Sequence, residues 1–154
     1  MTPQQQRLLR DSLNQLTPDR DAVAARFYQR LFRRDPELRQ LFPEDMTQQR
    51  RRFMAVLSLV VDAADGFHRI EPLLADLGRR HVDYGVVNAD YTTFRETLLE
   101  TLAVELGPGF TPTVRTAWDT LLRQVTTTMT RAADELTLAS PRQRAALLQR
   151  TRQF

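Results

Sequence analysis

The chain has 154 residues, 42% of them hydrophobic and 27% charged, which is the size and balance of one packed domain and not of a disordered chain. It has no cysteine, and this excludes a disulfide scaffold, thiolate catalysis, cysteine-bound zinc or iron–sulfur centres and a cysteine-tethered cofactor. The formal net charge is only +3 although the pI is near 10.1, because every one of the 22 basic residues is an arginine; the high pI is therefore a weak argument for nucleic acid.

Helical periodicity runs along the chain, with glycine and proline as punctuation. Residues 4–15 predict a first helix with Leu8, Leu9, Leu13 and Leu16 on one stripe. Thr17-Pro18-Asp19 starts a second, with proline at its first position, that runs to about Arg34 and turns Val23, Phe27, Leu31 and Phe32 inward. Pro36 breaks it, and a short segment from Glu37 to Leu41 leads to Phe42-Pro43. Thr47 is expected to cap a long helix to about Ala64, ended by Gly66. Glu71-Pro72 opens a shorter helix to about Arg80, and Gly85 marks a turn. Asn88 is expected to cap a helix to about Leu106, before the loop Gly107-Pro108-Gly109. Thr111-Pro112 starts the last long helix, and Ser140-Pro141 a short arginine-rich one. No segment alternates as a strand would, so the expectation is an all-α protein, with residues 1–138 as one domain and 139–154 as a helical extension. In that extension Ala145, Leu147 and Leu148 could pack back on the domain or on a second copy. No apolar run approaches the ~18 residues of a membrane span, and Met1-Thr2-Pro3-Gln4-Gln5-Gln6 has no signal-peptide core; no membrane contact and a cytoplasmic location are expected.

The usual enzyme motifs are missing. There is no glycine-flanked serine elbow, no phosphate loop with its lysine, no dinucleotide fingerprint and no Glu-x-x-His pair for a carboxylate bundle. Arg50-Arg51-Arg52 is short and reads as a solvated helix face, so no nucleic-acid partner is expected. The two histidines differ in setting. His68 lies in a loop and reads as a surface residue. His81 ends an amphipathic helix, Leu77-Gly78-Arg79-Arg80-His81, where a cation suits the helix dipole.

Taken in order, Phe27-Tyr28, then Asp35-Pro36-Glu37-Leu38-Arg39-Gln40-Leu41-Phe42, then Gln49 through Phe53, then Leu77 through His81, then Tyr91 and Phe94, form a pattern that resembles the globin family. It looks most like single-domain bacterial globins related to the globin part of flavohaemoglobins, over about residues 5–135. The resemblance implies a three-over-three helical sandwich with a short extra C-terminal helix, and haem b as cofactor. It implies that His81 is the proximal iron ligand, with the opposite side open for a diatomic ligand. Phe42 matches the phenylalanine that wedges against the haem. Tyr28 and Gln49 match the distal pair, two groups able to donate hydrogen bonds to a ligand bearing partial negative charge in an apolar cavity; Gln48 beside Gln49 leaves the register of the two open. Phe53, one turn after Gln49, falls over the iron, where the family more often has leucine or valine; it narrows the ligand space or gates it. Leu57, Leu77, Val86 and Phe94 are expected to pack on the haem, Arg52 and Arg80 to pair with its propionates, and Trp118 to sit in the core.

Tyr91 matches a tyrosine that in this family links to a carboxylate behind the proximal histidine. Here the carboxylate position counts to Ala133, with Asp134 and Glu135 just after it, which puts strong anionic push on the imidazole in doubt. No second histidine stands in the covering helix, so a pentacoordinate iron is expected. The partners implied are O2, CO and NO, with O2 storage or transport, or nitric oxide dioxygenation, as the role. Turnover would need a separate reductase, since no flavin or nicotinamide motif is present. A gas sensor acting through a partner is the alternative, and either a monomer or a homodimer fits.

Overall fold

The computed structural model describes residues 1–151; the end of the expected extension, 152–154, lies outside the described residues. Seven α-helices are found among the described residues: α1 (Pro3–Gln15), α2 (Arg20–Arg34), α3 (Thr47–Asp62), α4 (Glu71–Asp83), α5 (Asn88–Leu106), α6 (Pro112–Leu138) and α7 (Pro141–Thr151). Short 3-10 turns cover Thr17–Asp19, Pro36–Leu41, Phe67–Arg69 and Gly107–Gly109. No strand occurs among the described residues.

Most helix starts follow local side-chain chemistry. Thr2 and Gln5 form a reciprocal capping box at α1, and Ser140 and Gln143 exchange the same two bonds at α7. Thr111 accepts the Val114 N–H at 3.2 Å to start α6. Two expected caps are different. Thr47 is the first helical residue, because Asp45, two residues upstream, accepts its N–H at 2.9 Å. Asn88 is also inside its helix: the Asp90 carboxylate accepts the Val87 N–H at 3.0 Å, and the Asn88 amide is spent on Asp134. Thr17–Asp19 forms a turn of its own, and α2 begins after it, because Asp19 leaves helical geometry at φ −144°. α4 continues past Arg80 to Asp83, so His81 lies in its last turn.

Two layers of three helices build the core: α1, α3 and α4 on one side, α2, α5 and α6 on the other. α4 and α1 lie on α6, and α3 lies on α2. This is the expected three-over-three sandwich. Leu9, Phe27, Leu98, Leu102, Trp118 and Leu121 fill its centre. Trp118 is 0% exposed, as expected of a core residue, and its indole N–H donates to Ser12 Oγ at 2.9 Å. Ser12→Ala would leave that N–H buried without an acceptor. We expect a loss of about 1–3 kcal/mol of stability, read by denaturant unfolding.

The arginines are used as interhelical forks. Along α2, Arg26 makes a two-pronged ion pair with Glu105, Arg30 reaches Thr101, and Arg34 reaches Glu96 and Glu100, which fixes α2 against α5. α7 packs on α6 and α4, with Leu147 and Leu148 half-buried and Arg144 3.9 Å from Asp83.

Candidate functional site

Tyr28 on α2 and Gln49 on α3 are brought together where those helices pack. The helices are also pinned at the start of α2: Arg50 pairs with Asp21 at 3.0 Å, and Arg20 donates to Ser58 at 2.9 Å. Further along α2 the Gln49 amide donates to the Tyr28 hydroxyl oxygen at 3.0 Å. Gln48 instead faces outward, with Arg52 donating to it at 3.3 Å, so the structure separates the two glutamines. The two distal groups stand in series. Gln49 spends one N–H on the phenol oxygen, and the phenol keeps its own proton to donate elsewhere.

Aromatic rings surround the phenol. Phe27 and Phe53 are stacked at 4.7 Å, and Phe53 meets Tyr28 edge-on at 5.7 Å. Phe42 contacts Tyr28 at 5.5 Å and Phe32 at 5.3 Å. Burial among these rings pushes the Tyr28 phenol up to about 12, against a smaller opposite pull from the Gln49 hydrogen bond. It therefore stays a neutral donor at physiological pH. The folded chain then holds a proton between pH 10 and 12 that the unfolded chain has lost. Stability must fall as pH rises through that window, by up to about 1.4 kcal/mol per pH unit for this group. Unfolding measured across that range should show a shallower fall in Tyr28→Phe than in the native chain.

His81 projects from the last turn of α4. Its Nδ1 lies 2.6 Å from the Leu77 carbonyl oxygen. A carbonyl can only accept, so Nδ1 carries the proton and Nε2 keeps its lone pair. Burial lowers the His81 pKa and so favours the neutral ring, against a smaller upward pull from the Leu77 bond. The turn is closed by a Schellman arrangement: the Val86 N–H donates to the His81 carbonyl at 3.0 Å and the Gly85 N–H to Val82 at 3.1 Å. Gly85 has φ 93°, which a side chain would strain. No carboxylate among the described residues bonds the ring: Ala133 is buried, and Glu135 is exposed beside His68 in a separate surface groove. Tyr91 stacks near His81 at 6.4 Å, and its buried hydroxyl has no hydrogen-bond partner among the described residues. Burial, then Asp90 and Asp134, push this phenol up to about 12.

α5 links the two sides. Tyr91 faces His81, and Phe94, one turn later, meets Phe27 at 5.6 Å and Phe53 at 6.2 Å. Phe42, Phe53, Leu77, Val86 and Phe94 are only half-buried at the margin of the core, while Leu57 lies inside it. A neutral imidazole with a free Nε2, a phenol donor and a margin of half-buried apolar side chains fit a flat apolar group with a metal at its centre.

Residues 25–129 match the globin family. The chain belongs to the globins. Among curated proteins it is 32% identical over 138 residues to a neuroglobin of Danio rerio, covering 80% of this chain and 87% of that one. It is 29% identical to neuroglobin-1 of Oncorhynchus mykiss, covering 85% and 91%. Among solved structures it resembles an engineered carbene transferase from Rhodothermus marinus, with TM-score 0.78 and 23% identity over 89% of this chain and 96% of that one. It also resembles a bacterial globin from Campylobacter jejuni, with TM-score 0.79 and 16% identity over 88% and 99%. Membership implies a haem cofactor and the binding of O2 and related gases. No helix among the described residues is long and apolar enough to cross a membrane.

In this globin the two expected propionate arginines have other partners. Arg80 is exposed and pairs at 3.1 Å with Asp76, a carboxylate that is itself buried. Arg52 is exposed, with Gln48 as its partner. His68 is exposed, as expected. Arg39 was missed by sequence reasoning. Its guanidinium donates to the carbonyls of Phe42, Pro43 and Glu44 at 3.2, 2.9 and 3.1 Å, and lies 5.4 Å from the centre of the Phe32 ring. It thereby sets the loop that presents Phe42. The only sequence signal was its place beside that loop.

Proposed function

We propose that the chain binds haem b through His81 and holds O2, CO or NO on the opposite side of a pentacoordinate iron. Haem supplies the metal and one axial position for a diatomic gas. The chain's residues do the rest. His81 offers Nε2 while Leu77 fixes its ring. Phe42, Leu77, Val86 and Phe94 give apolar contact, with Leu57 behind them, and Tyr91 backs the proximal side. Phe53, stacked on Phe27, is a fixed wall that limits ligand size. Arg52 and Arg80 stand as propionate partners, Arg80 on condition that it exchanges Asp76.

The observation that carries the reading is the Gln49-to-Tyr28 hydrogen bond inside the aromatic cluster. It polarises the phenol and fixes its oxygen, which makes Tyr28 a strong, preset donor toward a ligand with partial negative charge. Such a pocket slows O2 release. That suits storage or transport, or nitric oxide dioxygenation with electrons from a separate reductase; one structural neighbour is named as a candidate for that last activity. A cytoplasmic location and a monomeric or homodimeric state go with this reading. A sensor role gains support from one contact alone, α7 lying on the helix that carries His81.

The test is a visible absorption spectrum of the purified protein as isolated, after reduction with dithionite, and after CO. A Soret band that moves to a histidine–CO form, from a five-coordinate reduced state, is the expected result. No Soret band after hemin addition would leave the fold and remove the function.

A further inference from the structure

At Gly78 the backbone of α4 meets the backbone of α6. A Cβ added at Gly78 would stand 2.3 Å from the Met129 carbonyl oxygen, 2.8 Å from its Cα and 2.9 Å from its carbonyl carbon. All three are main-chain atoms, so no rotamer change makes room. The glycine hydrogen in that position points at the carbonyl, the kind of Cα–H···O contact that forms where helices cross closely.

The contact has a direct route to His81. The Leu77 carbonyl that holds Nδ1 belongs to the peptide unit joining Leu77 to Gly78. A peptide unit is planar and stiff. Seating Gly78 on Met129 therefore fixes the plane that carries the carbonyl orienting the imidazole. The Val86 N–H holds the His81 carbonyl from the other side, so the histidine is held at both ends of its turn.

We propose that Gly78 is the positioning residue for His81: its lack of a side chain sets the depth of α4 on α6 and, through the Leu77 carbonyl, the direction of Nε2. This rests on His81 as the haem ligand. Any side chain at residue 78 lifts α4 from α6 and tilts the Leu77 carbonyl.

The test uses the hemin-loaded chain. Gly78→Ala should keep a histidine-ligated Soret band but shift the iron–histidine stretching band of the reduced protein in resonance Raman spectra. It should also lose hemin to an excess of scavenger apoprotein roughly 10–100-fold faster, the usual scale for disturbing a ligand's supporting shell. Leu9→Ala is the control, because it opens a cavity in α1, away from α4. It should lower the Tm without moving the Raman band. An unmoved band and unchanged hemin loss in Gly78→Ala would overturn the proposal, as would an equal shift in Leu9→Ala. If Gly78→Ala does not fold, NMR of the native hemin-free chain decides: a Gly78–Met129 α-proton cross-peak and a slowly exchanging His81 Nδ1 proton support the proposal, and the absence of either overturns it. Hemin binding that is indifferent to His81→Ala would instead sink the ligand assignment.

Discussion

His81→Ala is expected to abolish stoichiometric hemin binding with a histidine signature while leaving the fold intact. The imidazole makes one hydrogen bond, to the Leu77 carbonyl of its own helix, and no bond to another element. Its removal costs the domain little packing, since the ring is only half-buried. On the proposed assignment it also removes the nitrogen that would bind the metal. Circular dichroism and the unfolding midpoint should change little, and the Soret band should weaken and broaden to that of loosely held hemin. Imidazole added to the buffer should restore part of the native spectrum by occupying the vacated space. A sharp Soret band with an unchanged proximal ligand in this variant would end the assignment of His81.

Tyr28→Phe is expected to speed O2 dissociation by roughly tenfold, the worth of one good hydrogen bond in a poorly solvated site. The substitution keeps the ring and its contacts with Phe27, Phe42 and Phe53. It removes the hydroxyl proposed to face the ligand and the oxygen that anchors the Gln49 amide. Gln49→Leu should have a smaller effect in the same direction, because the phenol loses its polarising donor and keeps its proton. CO, which carries less negative charge on its outer atom, should leave both variants at nearly the native rate. Stopped-flow displacement of O2 by CO reads these differences. An unchanged O2 off-rate in Tyr28→Phe would place the phenol outside the ligand pocket.

Much of this was legible in the sequence. The 3.6-residue spacing of Val23, Phe27 and Leu31, or of Leu121, Val125 and Met129, is a local property, and each helix appeared near its expected place. The ordered series Tyr28, Phe42, Gln49, His81 and Tyr91 could be recognised because it is fixed by position along the chain. Thr47 and Asn88 lie one residue inside the helices they were expected to cap. Asp45 and Asp90 accept the Thr47 and Val87 N–H groups there, through local geometry that periodicity does not encode.

Partnerships were decided by the tertiary structure. Sequence counting could not say whether Gln48 or Gln49 turns inward; the meeting of α2 and α3 settles it, by placing a phenol oxygen 3.0 Å from one amide. It offered Arg80 as a free cation, but burial of Asp76 beside it makes that carboxylate costly to leave unpaired. Gly78 stands inside α4, where a glycine costs about 1 kcal/mol against alanine. Only the approach of Met129's backbone explains it. The sequence alone determined which residues lie on the inner face of each helix, because that depends on spacing along one chain. The tertiary structure decided which polar atoms meet, because a hydrogen bond depends on tenths of an ångström between segments far apart in sequence.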